Sequence, residues 1–259
     1  MQAKPTENKF IRILWLPYEA WVGLSFGLFV LVVFSISLPL YGLFGTRFYR
    51  TYFTVYKYGA RIWFFAVGVR FRVENDEVLK AGTGVIVANH SSHIDLMNGA
   101  AASPLRTRAL AKISLKKIPL LGYLFATASV FVDRSNAESR ERSVMGLASA
   151  LRQGFTLFMF PEGTRNRTNK ALQPFFNGAF KLAIQEQKPI YPMVILHARS
   201  VMPMQGIQFR PGKITVRYMT PVQTTGLTQT DLTGLKQSIF NQMEAEILKA
   251  EPYLLSANR

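Results

Sequence analysis

The sequence contains no cysteine, which excludes disulfides, thiolate metal sites and a cysteine nucleophile from a chain of 259 residues. Acidic residues are also scarce: 15 Asp and Glu stand against 31 Lys and Arg, for a net charge of +16. A molecule so biased is drawn to anionic partners, whether membrane lipid, nucleic acid or an acidic carrier protein, and charge alone does not choose among them. Histidine is rarer still, with three in the chain, two of them inside one heptapeptide. There is no internal repeat, no low-complexity tract and no linker long enough to divide the globular part.

Apolar residues are plentiful, 49% of the chain, enough for one sizeable core and a short membrane element. Residues 20–44 read AWVGLSFGLFVLVVFSISLPLYGLF without a charge, long enough to cross a hydrocarbon layer of about 30 Å as a helix. The run exceeds the roughly 7 to 15 residue core of a signal peptide, and no small-residue cleavage site follows. It is read as a retained anchor, which Pro39 is expected to kink or stop. In a second aromatic stretch, residues 49–69, Arg50, Lys57 and Arg61 share one helical stripe, expected to lie at the membrane interface or return partway through it. Arg47, Arg50, Lys57, Arg61 and Arg70 follow the first segment and favour the cytoplasm for that side. Lys4, Lys9 and Arg12 on the other flank leave a single span and a hairpin both open. The chain thus divides into a membrane-anchoring part, residues 1–69, and a globular domain, residues 70–259.

Beyond Arg70, β-rich runs at 71–74, 84–88, 130–132, 155–160, 190–195 and 214–218 alternate with helical stretches. This predicts an α/β fold with a mixed, mainly parallel sheet flanked by helices. A helix over 136–153 is expected to open on a capping box of Ser135 and Glu138 and to stop at Gly154. A last amphipathic helix spans about 231–250, before Pro252.

The polar cluster Asn89-His90-Ser91-Ser92-His93-Ile94-Asp95 follows the apolar run GVIVA, where a strand hands over to a helix. Strand carboxyl ends are where α/β sheets build sites. An imidazole takes a proton near neutral pH, and a carboxylate on its second nitrogen fixes the tautomer and raises basicity. Asp95 suits that role for His90, since a histidine in the turn is not bound by helical spacing; a plain helix cap by Ser91 or Ser92 explains the same cluster. Downstream, the run FTLFMF leads directly into Pro161-Glu162-Gly163-Thr164-Arg165-Asn166. Gly163 permits a tight turn and Arg165 can hold a phosphate bidentately, while an ordinary solvated turn is the plainer reading.

Taken together, NHSSHID, FPEGTRN and the later Pro189-Ile190-Tyr191-Pro192 resemble the ordered motifs of the glycerolipid acyltransferase family, typified by 1-acyl-sn-glycerol-3-phosphate acyltransferases. The resemblance covers about residues 70–220. It implies that His90 and Asp95 are catalytic and that Glu162, Gly163, Thr164 and Arg165 bind the acceptor. Ala111-Lys112-Ile113-Ser114-Leu115 is similar to the family's Ala-Lys-x-x-Leu stretch and implies a phosphate contact by Lys112; Val130-Phe131-Val132-Asp133-Arg134 is similar to the second motif. The chain departs from the family at Ala128, where many members have glycine, and at Phe175-Phe176-Asn177-Gly178, where the family has Phe-Lys-x-Gly. The resemblance implies transfer of an acyl group from acyl-CoA or acyl-carrier protein to the sn-2 hydroxyl of 1-acyl-glycerol-3-phosphate. It implies no metal and no cofactor, a phospholipid membrane and a lysophospholipid acceptor as partners, and no nucleic acid. The expected location is the inner (cytoplasmic) membrane of a bacterium, with the catalytic domain facing the cytoplasm.

Another lysophospholipid or hydroxylated lipid is the alternative acceptor. Two other classes stand against an acyltransferase. Gly23-Leu24-Ser25-Phe26-Gly27 fits the Gly-x-Ser-x-Gly pattern of serine hydrolases, yet inside the apolar helix rather than at a strand-turn-helix elbow. A non-enzymatic basic binding protein would use the charge and the local cluster Arg106, Arg108, Lys112, Lys116 and Lys117, but no nucleic-acid motif accompanies it. The apolar stretches 119–128 and 175–184 suit either an acyl groove or ordinary core.

Overall fold

A computed structural model describes residues 9–44, 49–133, 135–203 and 208–256. Lys4 and Arg47 of the basic flanks and Arg134 of the second motif lie outside the described residues.

Helix α1 (Lys9–Phe44) is followed by α2 (Tyr49–Ala66), and the chain then alternates. The order is β1 (Val69–Glu74), β2 (Val85–Ala88), α3 (Asp95–Ala102), β3 (Thr107–Lys112), α4 (Leu121–Ala128), β4 (Ser129–Val132), α5 (Ala137–Arg152) and β5 (Thr156–Met159). Then come α6 (Gly178–Gln185), β6 (Ile190–Leu196), α7 (Ala198–Val201), β7 (Gly212–Tyr218), α8 (Leu232–Ala250) and α9 (Tyr253–Ser256). The strands form one seven-stranded sheet in the order β1-β7-β6-β2-β5-β3-β4. Neighbours run parallel except β6 with β7, so the sheet is mixed and mainly parallel, as the alternation predicts.

The central strands β2, β5 and β6 are buried at every position, which is why they read as continuous apolar runs rather than as alternation. Val85, Val87, Leu157 and Met159 pack with α5, α6 and α8, whereas Ile86, Ala88 and Phe158 pack with α2 and α3. Strands β2, β5, β3 and β6 end on the same edge, so the loops after them converge. β3 was not expected, because Thr-Arg-Ala-Leu-Ala-Lys has neither an apolar run nor clean alternation. Its neighbours make it a strand: Arg108 pairs with Leu157 and Leu110 with Val130.

Two helix boundaries differ from expectation. α5 is capped by Asn136, whose side chain accepts from Ser139 N at 2.9 Å, while Ser135 Oγ instead donates to Asp133 Oδ1 at 2.6 Å. Asparagine caps as well as serine, and Ser135 is already committed. Gly154 closes the helix in the left-handed region at φ 81°, as expected. Pro39 does not end α1, which continues to Phe44; a helix in apolar surroundings tolerates the loss of one backbone donor.

Among the described residues α1 alone is long and apolar enough to cross a membrane, over Leu14–Pro39 with mean hydropathy 2.3. Leu14, Leu16, Trp21, Leu24, Leu28 and Leu31 on it are exposed. α2 behaves differently. Its Ala60 and Phe64 are fully buried against the globular domain, and Trp63 Nε1 donates to Ser25 Oγ of α1 at 3.1 Å. The expected interfacial stripe is corrected at two of its residues. Lys57 Nζ donates to Ser103 O at 3.0 Å and Arg61 Nε to Ala101 O at 3.2 Å, so both cations cap the carboxyl end of α3.

Gly84 just before β2 provides a stability test. A Cβ there would lie 2.3 Å from the carbonyl oxygen of Pro189, which already accepts from Val85 N at 2.9 Å and cannot swing away. Gly84→Ala should therefore destabilise the fold by about 1–3 kcal/mol, the usual range for overpacking. A denaturation midpoint in detergent equal to that of the wild type would contradict this packing.

Candidate active site

The strand β2 delivers His90 to the convergent edge, and Asp95 opens α3 five residues later. His90 Nδ1 lies 3.0 Å from Asp95 Oδ2. The same oxygen accepts Ser91 N at 2.6 Å and Ser92 N at 2.7 Å, and Asn98 Nδ2 approaches Oδ1 at 3.4 Å. Asp95 is completely buried. An ionised carboxylate only accepts, so the imidazole proton belongs on Nδ1 and the lone pair on Nε2. No protein hydrogen bond engages Nε2 among the described residues, and the pair is built as a proton acceptor with an orienting anion. The ring stacks on Phe160, with centroids 4.0 Å apart and planes 15° from parallel.

The turn after β5 supports this turn rather than facing it. Glu162 is 2% exposed. Its Oε1 accepts His90 N at 2.7 Å and its Oε2 accepts Gln173 N at 2.9 Å. Both oxygens thus accept from backbone, which places Glu162 as a support of the turn. Desolvation pushes its carboxyl up to about 7, against the lowering effect of the two N–H bonds. Gly163 adopts φ 70°, the left-handed conformation that the turn requires and glycine permits. Asn166, fully buried, donates its N–H to His90 O at 2.7 Å.

Thr164 is exposed beside the turn, and the Arg165 guanidinium rests against both ring nitrogens of His93. Desolvation, then the charge of Arg165, lowers the pKa of His93, so a neutral ring meets the cation. Lys112 is exposed at the carboxyl end of β3, two strands from β2, where its charge acts on Asp133. Gly163, Thr164 and Arg165 therefore share the rim with His90, and Lys112 stands farther along the same edge.

Comparison with known proteins agrees with this architecture. Residues 70–196 match the family model Acyltransferase. The 1-acyl-sn-glycerol-3-phosphate acyltransferase of Limnanthes douglasii is 30% identical over 203 residues, 78% of this chain and 71% of that protein. The chain belongs to the acyltransferase family. A Saccharomyces cerevisiae protein of the same name is 33% identical over 181 residues, 68% of this chain and 59% of its own length. In fold, the chain is similar to the crystal structure of the 1-acyl-sn-glycerophosphate (LPA) acyltransferase PlsC from Thermotoga maritima. That match has a TM-score of 0.68 at 22% identity and covers 86% of this chain and 95% of the other.

Membership makes the protein an O-acyltransferase, and the structure shows where the residues behind the other two readings sit. Ser25 Oγ donates to Val22 O at 3.2 Å within α1 and accepts from Trp63, with no elbow around it. Arg106 donates to Gln153 O at 3.1 Å, and Arg108 donates to Thr127 O at 2.8 Å and lies over the ring of Tyr49. Two of the five residues of the apparent basic cluster are therefore tied into the fold. Sequence reasoning missed the supports of this candidate site. Arg199 donates to Thr168 O at 2.9 Å and Asn166 O at 3.3 Å, holding the loop after the turn, and nothing in its own neighbourhood in sequence announces this. Gln173 contributes only its backbone, which leaves no sequence signal.

Glu162→Gln tests the supporting role. One backbone N–H would lose its acceptor and meet an amide, so kcat should fall on the order of tenfold or more while acceptor KM stays nearly constant. A rise in KM alone would mean that Glu162 contacts the acceptor after all. The carboxyl is raised from its ordinary 4.5 to about 7. Its contribution to stability is therefore fully present below about 4.5 and lost as pH rises through about 7. Unfolding midpoints of the variant should lack the part of the pH dependence that the wild type shows in this window.

Proposed function

We propose that the protein moves a fatty acyl group from acyl-CoA or acyl-carrier protein to the sn-2 hydroxyl of 1-acyl-glycerol-3-phosphate, forming phosphatidic acid. The observation that supports this reading most directly is the buried Asp95 carboxylate on His90 Nδ1, which leaves Nε2 as base beside the Arg165 rim. His90 Nε2 takes the hydroxyl proton as the acceptor oxygen forms a bond to the thioester carbonyl carbon. Collapse of the tetrahedral intermediate breaks the C–S bond, and the imidazolium returns its proton to the departing thiolate. Asp95 holds the ring and stabilises the imidazolium. Gly163, Thr164 and Arg165 receive the acceptor phosphate, with Lys112 reaching it along the edge. No metal or cofactor takes part in this scheme.

Helix α1 inserts in the membrane that holds the acceptor, with the catalytic domain on the cytoplasmic side; a bacterial inner membrane is the proposed location. Its exposed leucines favour insertion. A second acceptor class has one observation in its favour. Phe176, 69% exposed, stands where the family has lysine, and removal of that cation favours a lysophospholipid with a larger head group.

Purified protein assayed against a lysophospholipid panel with both donor types, products identified by mass spectrometry, tests the reading. Lysophosphatidic acid is expected as the preferred acceptor, and His90→Ala should lower turnover by about a thousandfold without loss of folding. Near-native transfer by a folded His90→Ala protein would sink the scheme.

A further inference from the structure

The backbone around Arg165, the cation on the rim beside His90, is held on both sides. Upstream, the Glu162 carboxylate accepts His90 N at 2.7 Å, and downstream Asn166 N donates to His90 O at 2.7 Å. Asn166 also heads a compact loop. Its Oδ1 accepts Thr168 N at 2.9 Å and Thr168 Oγ1 at 2.7 Å, and its Nδ2 donates to Lys170 O at 2.9 Å. The carbonyls of Asn166, Thr168 and Lys170 all meet one guanidinium. Arg199 reaches Thr168 O at 2.9 Å through Nη1, and Asn166 O at 3.3 Å and Lys170 O at 3.5 Å through Nη2.

Arg199 is itself anchored to the turn that carries His90. It sits in α7, and the carbonyl of Met202, the residue after that helix, accepts Ser92 Oγ at 2.7 Å. Just before α7, His197 N donates to the buried Glu251 carboxylate at 2.5 Å. His90, Ser92, Met202, Arg199 and Asn166 therefore form a closed ring of chain segments and hydrogen bonds, and Arg165 is the sequence neighbour of one member. Burial raises the Glu162 carboxyl, and the Arg199 charge is among the influences that lower it, so the cation stands behind the same turn.

We propose that Arg199 is the positioning residue that fixes Arg165 relative to His90 and thereby selects which acceptor hydroxyl is acylated. The inference rests on the acyl-transfer reading above. In that reading the acceptor is held at its phosphate by Arg165 and at its hydroxyl by His90 Nε2, so the span between the two side chains must match the span from phosphate to hydroxyl. The sn-2 hydroxyl of a 1-acyl acceptor and the sn-1 hydroxyl of its 2-acyl isomer differ in that span by one carbon–carbon bond, about 1.5 Å. A misplacement of about 1 Å costs on the order of a hundredfold in rate, so a tightly held frame discriminates between the two hydroxyls and a loosened one does not. A guanidinium suits the task because its planar fork addresses several carbonyls at fixed angles, whereas an ammonium is a point charge on a flexible stem.

The test uses the full-length protein in detergent, as wild type, Arg199→Gln and Arg199→Lys, with a palmitoyl thioester of the carrier that wild type uses. The acceptors are the 1-O-hexadecyl and 2-O-hexadecyl ethers of glycerol-3-phosphate, which do not interconvert by acyl migration. Wild type should prefer the 1-ether. Arg199→Gln should lower the ratio of kcat/KM for the 1-ether over the 2-ether by about tenfold. Arg199→Lys, which keeps the charge without the fork, should lower it by about threefold. The donor KM should stay constant in both. Equal losses on the two ethers, leaving the ratio unchanged, would assign Arg199 to stability alone and overturn the proposal. Full recovery of the wild-type ratio in Arg199→Lys overturns it too, because only a charge effect would then remain, as does a wild type that does not distinguish the ethers. Should Arg199→Gln not fold, the expected fall in Arg199→Lys carries the test. If wild type acylates neither ether, the proposed acceptor fails, and the ratio is read on the two ether isomers of whichever lysophospholipid in the panel is turned over.

Discussion

A buried carboxylate dictates the local design. Burying the Asp95 charge costs several kcal/mol unless donors replace its water. Those donors are the imidazole Nδ1 of His90 and the N–H groups of Ser91 and Ser92, all on one oxygen. Satisfying the charge therefore closes the turn, and closing the turn aims the histidine. The same turn is tied outward on both sides. Ser92 Oγ donates to Met202 O at 2.7 Å, and His90 N donates to Glu162. One residue earlier, Asn89 exchanges two hydrogen bonds with the backbone of Ile195, at 3.0 and 2.7 Å. The loops that follow β2, β5 and β6 are thereby made one unit.

Helix α3 links that unit to the two N-terminal helices. Its first residue is Asp95, where the positive end of the helix dipole favours a carboxylate, and its last carbonyls are capped by Lys57 and Arg61 of α2. Gly99 lets it approach β5 closely, since a Cβ there would lie 2.4 Å from the Phe158 ring. α2 in turn packs on α1 through Trp63 and Phe26, rings 5.4 Å apart. α2 therefore connects the apolar helix α1 to the carboxyl end of the helix that begins at Asp95.

What was legible in the sequence followed from burial. GVIVA and FTLFMF could be read as strands because both faces are covered, and a continuous apolar run is what such strands require. β3 could not, because Arg108 and Lys112 are tolerated only through tertiary partners: a carbonyl and two aromatic rings for the first, the sheet edge for the second. The pairing of His90 with Asp95 was legible because it lies within seven consecutive residues. The role of Glu162 was not, since a carboxylate that accepts backbone N–H groups from sequence-distant segments looks in sequence like any exposed acid. Lys57 and Arg61 misled for the converse reason. Their helical stripe faces the end of another helix, and a sequence shows that a stripe exists but not what it meets.

The charge balance also takes a different form in three dimensions. Of the 15 acidic residues, Asp95, Glu162 and Glu251 are buried at 0%, 2% and 5% exposure. Each is spent on the interior: Asp95 and Glu162 on the turn that carries His90, Glu251 on His197 N at 2.5 Å. Arg217 is held between Glu74 and Glu246, which pairs two more acids with one cation at the sheet edge. Fewer acids than the composition suggests are therefore left at the surface beside the cations. Lys112, Lys116 and Lys117 remain exposed at the same sheet edge as His90. An anionic head group or an anionic thioester carrier would be attracted there before any specific contact forms, and the scarcity of acid noted in the composition becomes a property of the site.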